Sequence, residues 1–187
     1  MRSILPLFAA VFAVSAPALA VEQVPVSGFR SVELRGGGEV TVRPGPVQRV
    51  TILEGSSLVS HIYLVRDRKL RIDVCNGRCP LRYRLRVEIQ SPNAPDVAIS
   101  GGGSIRAAGG FAPQRDMSAA VHGGGIIDVR SVPVANVSAA VHGGGQIFVQ
   151  PMGSLSAAVM GGGQVRYAGN PQVSMAVHGG GLVRPVN

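Results

Sequence analysis

The sequence predicts an all-β chain wound as a single-stranded parallel β-helix, a solenoid of about 18–22 residues per coil with Gly-Gly-Gly corners. Three observations carry this prediction. The triplet occurs six times, starting at Gly36, Gly101, Gly123, Gly143, Gly161 and Gly179, and uses 18 of the 26 glycines. The last five starts lie 22, 20, 18 and 18 residues apart. The flanks repeat with the triplets: Ser118-Ala119-Ala120-Val121-His122, Ser138-Ala139-Ala140-Val141-His142, Ser156-Ala157-Ala158-Val159-Met160 and Ser174-Met175-Ala176-Val177-His178. A unit of this length holds two short strands and a corner, and buries its apolar face only by stacking on its neighbours.

The elements follow in order. Met1 and Arg2, the apolar run Ile4 to Val14 and the small-x-small Ala18-Leu19-Ala20 make residues 1–20 a secretory signal peptide, cut after Ala20. Residues 21–187 then form one elongated β-helical domain. No Cys stands at the cleavage point for a lipid anchor, and no later stretch approaches the roughly 20 apolar residues that span a bilayer. These features predict a protein secreted across the inner membrane, resident in the periplasm or at the cell surface. Ser31 to Arg35 before Gly36 is a diverged copy of the repeat. Four further strands are expected at Arg49–Leu53, Ser60–Val65, Lys69–Val74 and Leu81–Ile89, as less regular coils continuous with the rest.

From Asp96 onward the period-two pattern is plain. The apolar set before the triplets is Val97/Ile99, Ala119/Val121, Ala139/Val141, Ala157/Val159 and Met175/Val177. After them it is Ile105/Ala107, Ile127/Val129, Ile147/Val149, Val165/Tyr167 and Val183. The opposite register holds Arg106, Asp128, Phe148, Arg166 and Arg184, a mostly solvated face. Glycine at the corner supplies positive φ and lets successive coils approach closely. Pro113, Pro133, Pro151 and Pro171 are expected in the links, where no ladder donor is required.

Composition limits the function. In 187 residues, 45% are hydrophobic and 15% charged, too apolar for a disordered tail, and ten Asp plus Glu argue against chemistry that needs many acids. The net charge of +8 falls to +7 without Arg2, and Lys69 is the sole lysine. Between Val21 and Pro95 there are 12 basic and 7 acidic residues, against five and three from Asp96 onward. Arginine suits phosphate-like and carboxylate anions.

Gly28-Phe29-Arg30-Ser31-Val32-Glu33-Leu34, Gly38-Glu39-Val40-Thr41-Val42, Arg68-Lys69-Leu70-Arg71-Ile72 and Val87-Glu88-Ile89-Gln90-Ser91-Pro92, followed by the glycine-punctuated units, resemble the GIN-domain family of auto-transporter adhesin head domains. The resemblance spans nearly all of residues 21–187, carried by the order of the motifs. It implies an exported, envelope-associated β-helix with no assigned catalysis and no functional residues to carry over. The Gly triplet departs from the Gly-Ser-Gly more usual in such relatives.

Four constellations have chemical content. Arg82, Arg84 and Arg86 alternate with Leu81, Tyr83, Leu85 and Val87 and so share a face; with Arg71 nearby in sequence they form a candidate anion site for lipopolysaccharide, acidic glycans or lipid headgroups. The competing reading is a charged edge that blocks aggregation. His122, His142, Met160 and His178 precede successive triplets, so they stack about 4.8 Å apart. At most two neighbours could share a metal such as copper or zinc, and a structural stack is favoured. Ser118, Ala120, Ser138, Ala140, Ser156 and Ala158 make a small, charge-free stripe, read as a face for self-association into a homo-oligomer. Cys75 and Cys79 are the only thiols, too few for a zinc site, and an oxidising compartment makes them a disulfide.

Catalytic residues and cofactors are not indicated. No Gly-Lys-Ser/Thr follows a triplet, no Asp recurs as in calcium-binding repeats, and Asp116 and Asp128 are out of phase with each other. Few aromatics are present to stack bases, so nucleic acid is not an expected partner. The sequence thus predicts a non-enzymatic module acting by surface contact in adhesion or envelope organisation. The alternatives are a β-helical carbohydrate-active enzyme and a periplasmic metal-binding protein using the His/Met ladder.

Overall fold

A computed structural model describes residues 21–75, 77 and 79–186; the proposed signal peptide lies outside them. The fold is all-β. In chain order the first half contributes β1 (Glu22–Val24), β2 (Ser31–Gly36), β3 (Glu39–Pro44), β4 (Arg49–Glu54), β5 (His61–Val65), β6 (Lys69–Asp73) and β7 (Arg86–Ser91). The second half contributes β8 (Asp96–Gly101), β9 (Ser104–Ala107), β10 (Gln114–Gly123), β11 (Ile126–Asp128), β12 (Val134–Gly143), β13 (Gln146–Val149), β14 (Pro151–Met160), β15 (Gln164–Tyr167), β16 (Gln172–His178) and β17 (Leu182–Pro185). They build two open, mixed sheets. One runs β1-β4-β7-β3-β9-β11-β13-β15-β17, the other β16-β14-β12-β10-β8-β2-β6-β5.

From β8 onward the chain alternates between the sheets, and every pairing is parallel and in phase with the repeat, apart from a one-residue shift between Val134 and Asn136 where β12 meets β14. Ser118, Ser138, Ser156 and Ser174 stand on one row, Val121, Val141, Val159 and Val177 on another. On the second sheet Ile105, Ile127, Ile147, Val165 and Val183 align. Inward residues fill a continuous core in which Val121, Val141, Val159, Ile127 and Ile147 are wholly enclosed. Outward residues alternate with them, the signature of half-buried strands.

The triplets turn the chain from one sheet to the other, and each glycine in them has a different reason. Gly123, Gly143, Gly161 and Gly179 have φ of 123°, 118°, 116° and 108°, which L side chains rarely adopt. The third glycine is held by proximity. A Cβ at Gly145 would lie 2.4 Å from Val121 Cγ1 and 2.7 Å from the Gly125 carbonyl oxygen of the preceding turn, and Gly163 and Gly181 repeat this contact. A Cβ at the middle residue, Gly124, Gly144, Gly162 or Gly180, meets nothing within 4 Å.

The amino-terminal part departs from the expected succession of coils. β6 and β7 pair in parallel with β2 and β3, and β2 and β3 pair on their other side with β8 and β9. The β2–β3 pair is therefore clasped between two later segments. Beyond β6 and β7 the sheets close with antiparallel strands: β5 against β6, β4 against β7, and β1 against β4. Alternation of apolar residues is the same in parallel and antiparallel strands, which is why the pattern alone suggested more coils. Two smaller expectations also change. Residues 81–82 form a turn, closed by the Tyr83 N–H donating to the Pro80 carbonyl, and 83–85 lie outside any strand, with Leu81 fully exposed. Pro151 opens β14 instead of lying in a link, at the first position, where a strand tolerates proline.

Candidate functional site

The Arg82–Arg86 segment is held by its alternate residues. Leu85 is buried, and its carbonyl accepts from the Glu39 backbone N–H at 2.9 Å. The Tyr83 hydroxyl accepts from the Ser56 N–H at 2.9 Å and lies 2.8 Å from Ser60 Oγ, which itself donates to the Val74 carbonyl at 2.7 Å. Ser60 is buried, so this chain of hydrogen bonds satisfies it fully. With Tyr83 and Leu85 fixed inward, Arg82, Arg84 and Arg86 are directed to solvent. Beside them lies a groove of about 550 Å³ lined by Glu39, Glu54, Tyr83, Arg84, Arg86 and Ser104.

The expected four-arginine cluster resolves into two unlike parts. Arg86 Nε is 3.7 Å from Glu39 and its Nη1 3.9 Å from Glu54, so its charge is balanced. Arg71 stands on the other sheet, where its guanidinium is 3.3 Å from Glu33, a carboxylate that also draws Lys69 and Arg35. Arg71 does not join the other three, because β6 and β7 belong to opposite sheets. Arg82 and Arg84 are exposed and have no acidic partner among the described residues. Glu39, Glu54, Tyr83 and Ser104 were not legible as site residues, since strand register alone brings them together.

The ladder before the triplets forms as expected on the eight-stranded sheet. The His122 and His142 rings stack with centroids 4.8 Å apart and planes 16° from parallel. Ring-nitrogen lone pairs lie in the ring planes, so in near-parallel stacked rings they do not converge on one ion. Met160 and His178 continue the row by register. Among the described residues, no three His, Cys, Asp or Glu gather in a way that would hold a metal. The Ser/Ala stripe stands beside this ladder: Ser118, Ser138, Ser156 and Ala158 are exposed, Ala120 and Ala140 half-buried. Cys75 and Cys79 form a disulfide, with Cα atoms 5.8 Å apart.

On the nine-stranded sheet the outward column reads Arg106, Asp128, Phe148, Arg166, Arg184. Arg130 clamps Asp128 through bonds of 2.9 and 2.6 Å while its guanidinium sits 5.1 Å over the Phe148 ring, with Arg166 at 5.9 Å. The hydrogen bond from the Arg130 side chain, opposed by partial burial, holds the Asp128 carboxyl below the usual carboxylate range. Asp116 accepts from Asn136 Nδ2 at 3.0 Å on the other sheet, so the two aspartates do not pair as a catalytic dyad.

Two sheets in register, a glycine-cornered repeat and a surface of paired and unpaired arginines define an all-β module. Residues 96–171 match the model of the family described as "Putative auto-transporter adhesin, head GIN domain". No curated protein sequence matches the chain. Among solved structures, a putative adhesin from Bacteroides fragilis NCTC 9343 is 15% identical, with 89% of this chain and 96% of that chain covered and a TM-score of 0.46. A putative lipid binding protein from Parabacteroides distasonis ATCC 8503 is 14% identical over 90% and 96%, TM-score 0.37. A putative cell adhesion protein from Clostridium sporogenes ATCC 15579 is 12% identical over 88% and 97%, TM-score 0.38. Among the described residues, no helix is long and apolar enough to cross a membrane.

Proposed function

We propose that this chain is an exported, non-enzymatic contact module of the cell envelope, acting in the periplasm or at the cell surface by adhesion or envelope organisation. The proposal treats residues 21–187 as one domain and reads the alternation between sheets as a single β-helical winding, which the repeated registers support. Its working surface is the Arg82/Arg84 ledge beside the Glu39–Arg86 groove, and its partner an anionic glycan or the phosphates of lipopolysaccharide. One observation carries the reading: Arg86 is neutralised by Glu39 and Glu54, whereas Arg82 and Arg84 beside it stand exposed on a segment anchored through Tyr83 and Leu85. Unpaired guanidinium groups held in fixed geometry suit bidentate recognition of phosphate or carboxylate.

The test is binding to immobilised lipopolysaccharide and to a phosphate-free acidic polysaccharide. The Arg82→Ser/Arg84→Ser variant should lose at least tenfold in affinity and show a shallower salt dependence, while Arg71→Ser binds as the parent does. Preference for one probe identifies the anion. Equal binding by parent and double variant removes the ledge as the site.

A further inference from the structure

The two ends of the molecule are finished differently. At one end the sheets are closed by the antiparallel strands β1, β4 and β5, with the Arg66–Arg68 turn beside β5. At the other, both sheets stop together: β16 is the last strand of one and β17 the last strand of the other. Among the described residues each has a neighbour on one side only, so two rows of backbone N–H and C=O groups face outward at the same level.

The core is open there as well. Leu155, Ala157 and Val159 in β14 are 1%, 3% and 0% exposed, whereas Val173, Met175 and Val177 at the same register positions in β16 are 37%, 63% and 39% exposed. Val165 is wholly buried, yet its register mate Val183 is only half-buried. The usual protections of a sheet edge are charges, bulges, inserted prolines or a covering segment. Between Gln172 and Val186 the one formal charge is Arg184 and the one proline is Pro185, at the end of β17.

We propose that this open end is a homotypic interface, on which a second copy of the chain seats its own β16–β17 end. A partner must satisfy two sheet edges about 10 Å apart and cover the apolar layer between them in one contact. An extended peptide would pair one edge and leave the other exposed. The end turn of a second copy has the same cross-section and the same composition, with Arg184 its one formal charge. Within the chain such turns already stack in parallel, β14 and β16 aligning Ser156 with Ser174, Ala158 with Ala176 and Val159 with Val177. A two-fold axis along the sheet normals brings β16 antiparallel to its copy and β17 antiparallel to its copy, continuing both sheets across the joint and closing the assembly at two. The surface is distinct from the arginine ledge and independent of the reading given to it.

Light scattering of the purified protein over a concentration series tests this. The parent should reach twice the monomer mass. Met175→Arg, at a position already exposed in one copy, should self-associate at least tenfold more weakly while its circular dichroism stays that of the parent. Ser118→Arg, on the Ser/Ala stripe three strands from the open edge, should dimerise as the parent does. Hydrogen exchange of the parent supplies a readout that needs no variant: amides of residues 172–178 and 182–184 should gain protection as concentration rises. A parent that stays monomeric, a dimer broken by Ser118→Arg but not by Met175→Arg, or β16 and β17 amides indifferent to concentration would each overturn the proposal.

Discussion

The three glycines of a corner should respond to alanine in three different ways, and the Gly143-Gly144-Gly145 corner is the place to measure it. At Gly145 the new methyl group would sit 2.4 Å from Val121 Cγ1 and 2.7 Å from the Gly125 carbonyl oxygen. Val121 is fully buried and the carbonyl belongs to the ladder, so neither can swing aside. Overpacking of this kind costs about 1–3 kcal/mol. At Gly143 the methyl lies 2.8 Å from the Gly123 carbonyl oxygen and the backbone holds φ at 118°, so conformational strain of at least about 1 kcal/mol adds to the contact. At Gly144 nothing lies within 4 Å and φ is outside the left-handed region; alanine there should be neutral, or stabilise by about 0.5 kcal/mol by restricting the unfolded chain. For a chain of this size, 2 kcal/mol corresponds to roughly 4–8 °C in melting temperature. Thermal melts of the three variants should rank Gly144→Ala highest and Gly143→Ala lowest. If Gly144→Ala falls as far as Gly145→Ala, contact between successive turns is not what selects glycine, and the steric account fails.

Three further outcomes follow from the same geometry. Asp128→Asn should lose about 0.5–1 kcal/mol, a modest value because Arg130 remains 41% exposed. Because the folded carboxyl lies below its unfolded value, its stabilisation is complete above the ordinary carboxylate range and fades as pH falls through the lowered folded value; acid-denaturation curves of the variant should lack that component. Reducing the Cys75–Cys79 bond, which closes a very short loop, should cost about 2 kcal/mol or less and leave far-ultraviolet circular dichroism unchanged, since neither cysteine lies in a strand. Val141→Ala, in the middle of the stack and wholly buried, should destabilise by about 2 kcal/mol in urea titrations, whereas Val173→Ala at the open end should stay within about 0.5 kcal/mol for the monomer.

Much of the second half could be read directly from residues. The triplet period locates the corners, and period-two alternation separates Ala139 and Val141 from Ser138 and Ala140 correctly. What stayed hidden depends on neighbours in space. Met175 and Val177 carry the same pattern as Ala157 and Val159, and nothing local records that their turn lacks a cover. Arg71 and Arg86 both alternate with buried residues, yet one faces out from each sheet and each meets a carboxylate from a distant strand, Glu33 in the first case, Glu39 and Glu54 in the second. The antiparallel strands β4 and β5 have no sequence mark that distinguishes them from parallel ones.

The clasped position of β2 and β3 bears on how the polypeptide acquires its shape. These strands come early in the chain, but one flank is supplied only by residues 69–91 and the other only by residues 96–107. Until both have docked, Val32, Leu34, Val40 and Val42 lack the neighbours that bury them. The later turns each dock on one formed about 20 residues before, so they can zip up sequentially once that first layer exists. Nucleation therefore waits on the least repetitive stretch of the chain, and a lesion there should delay folding far more than an equal lesion near the carboxyl terminus.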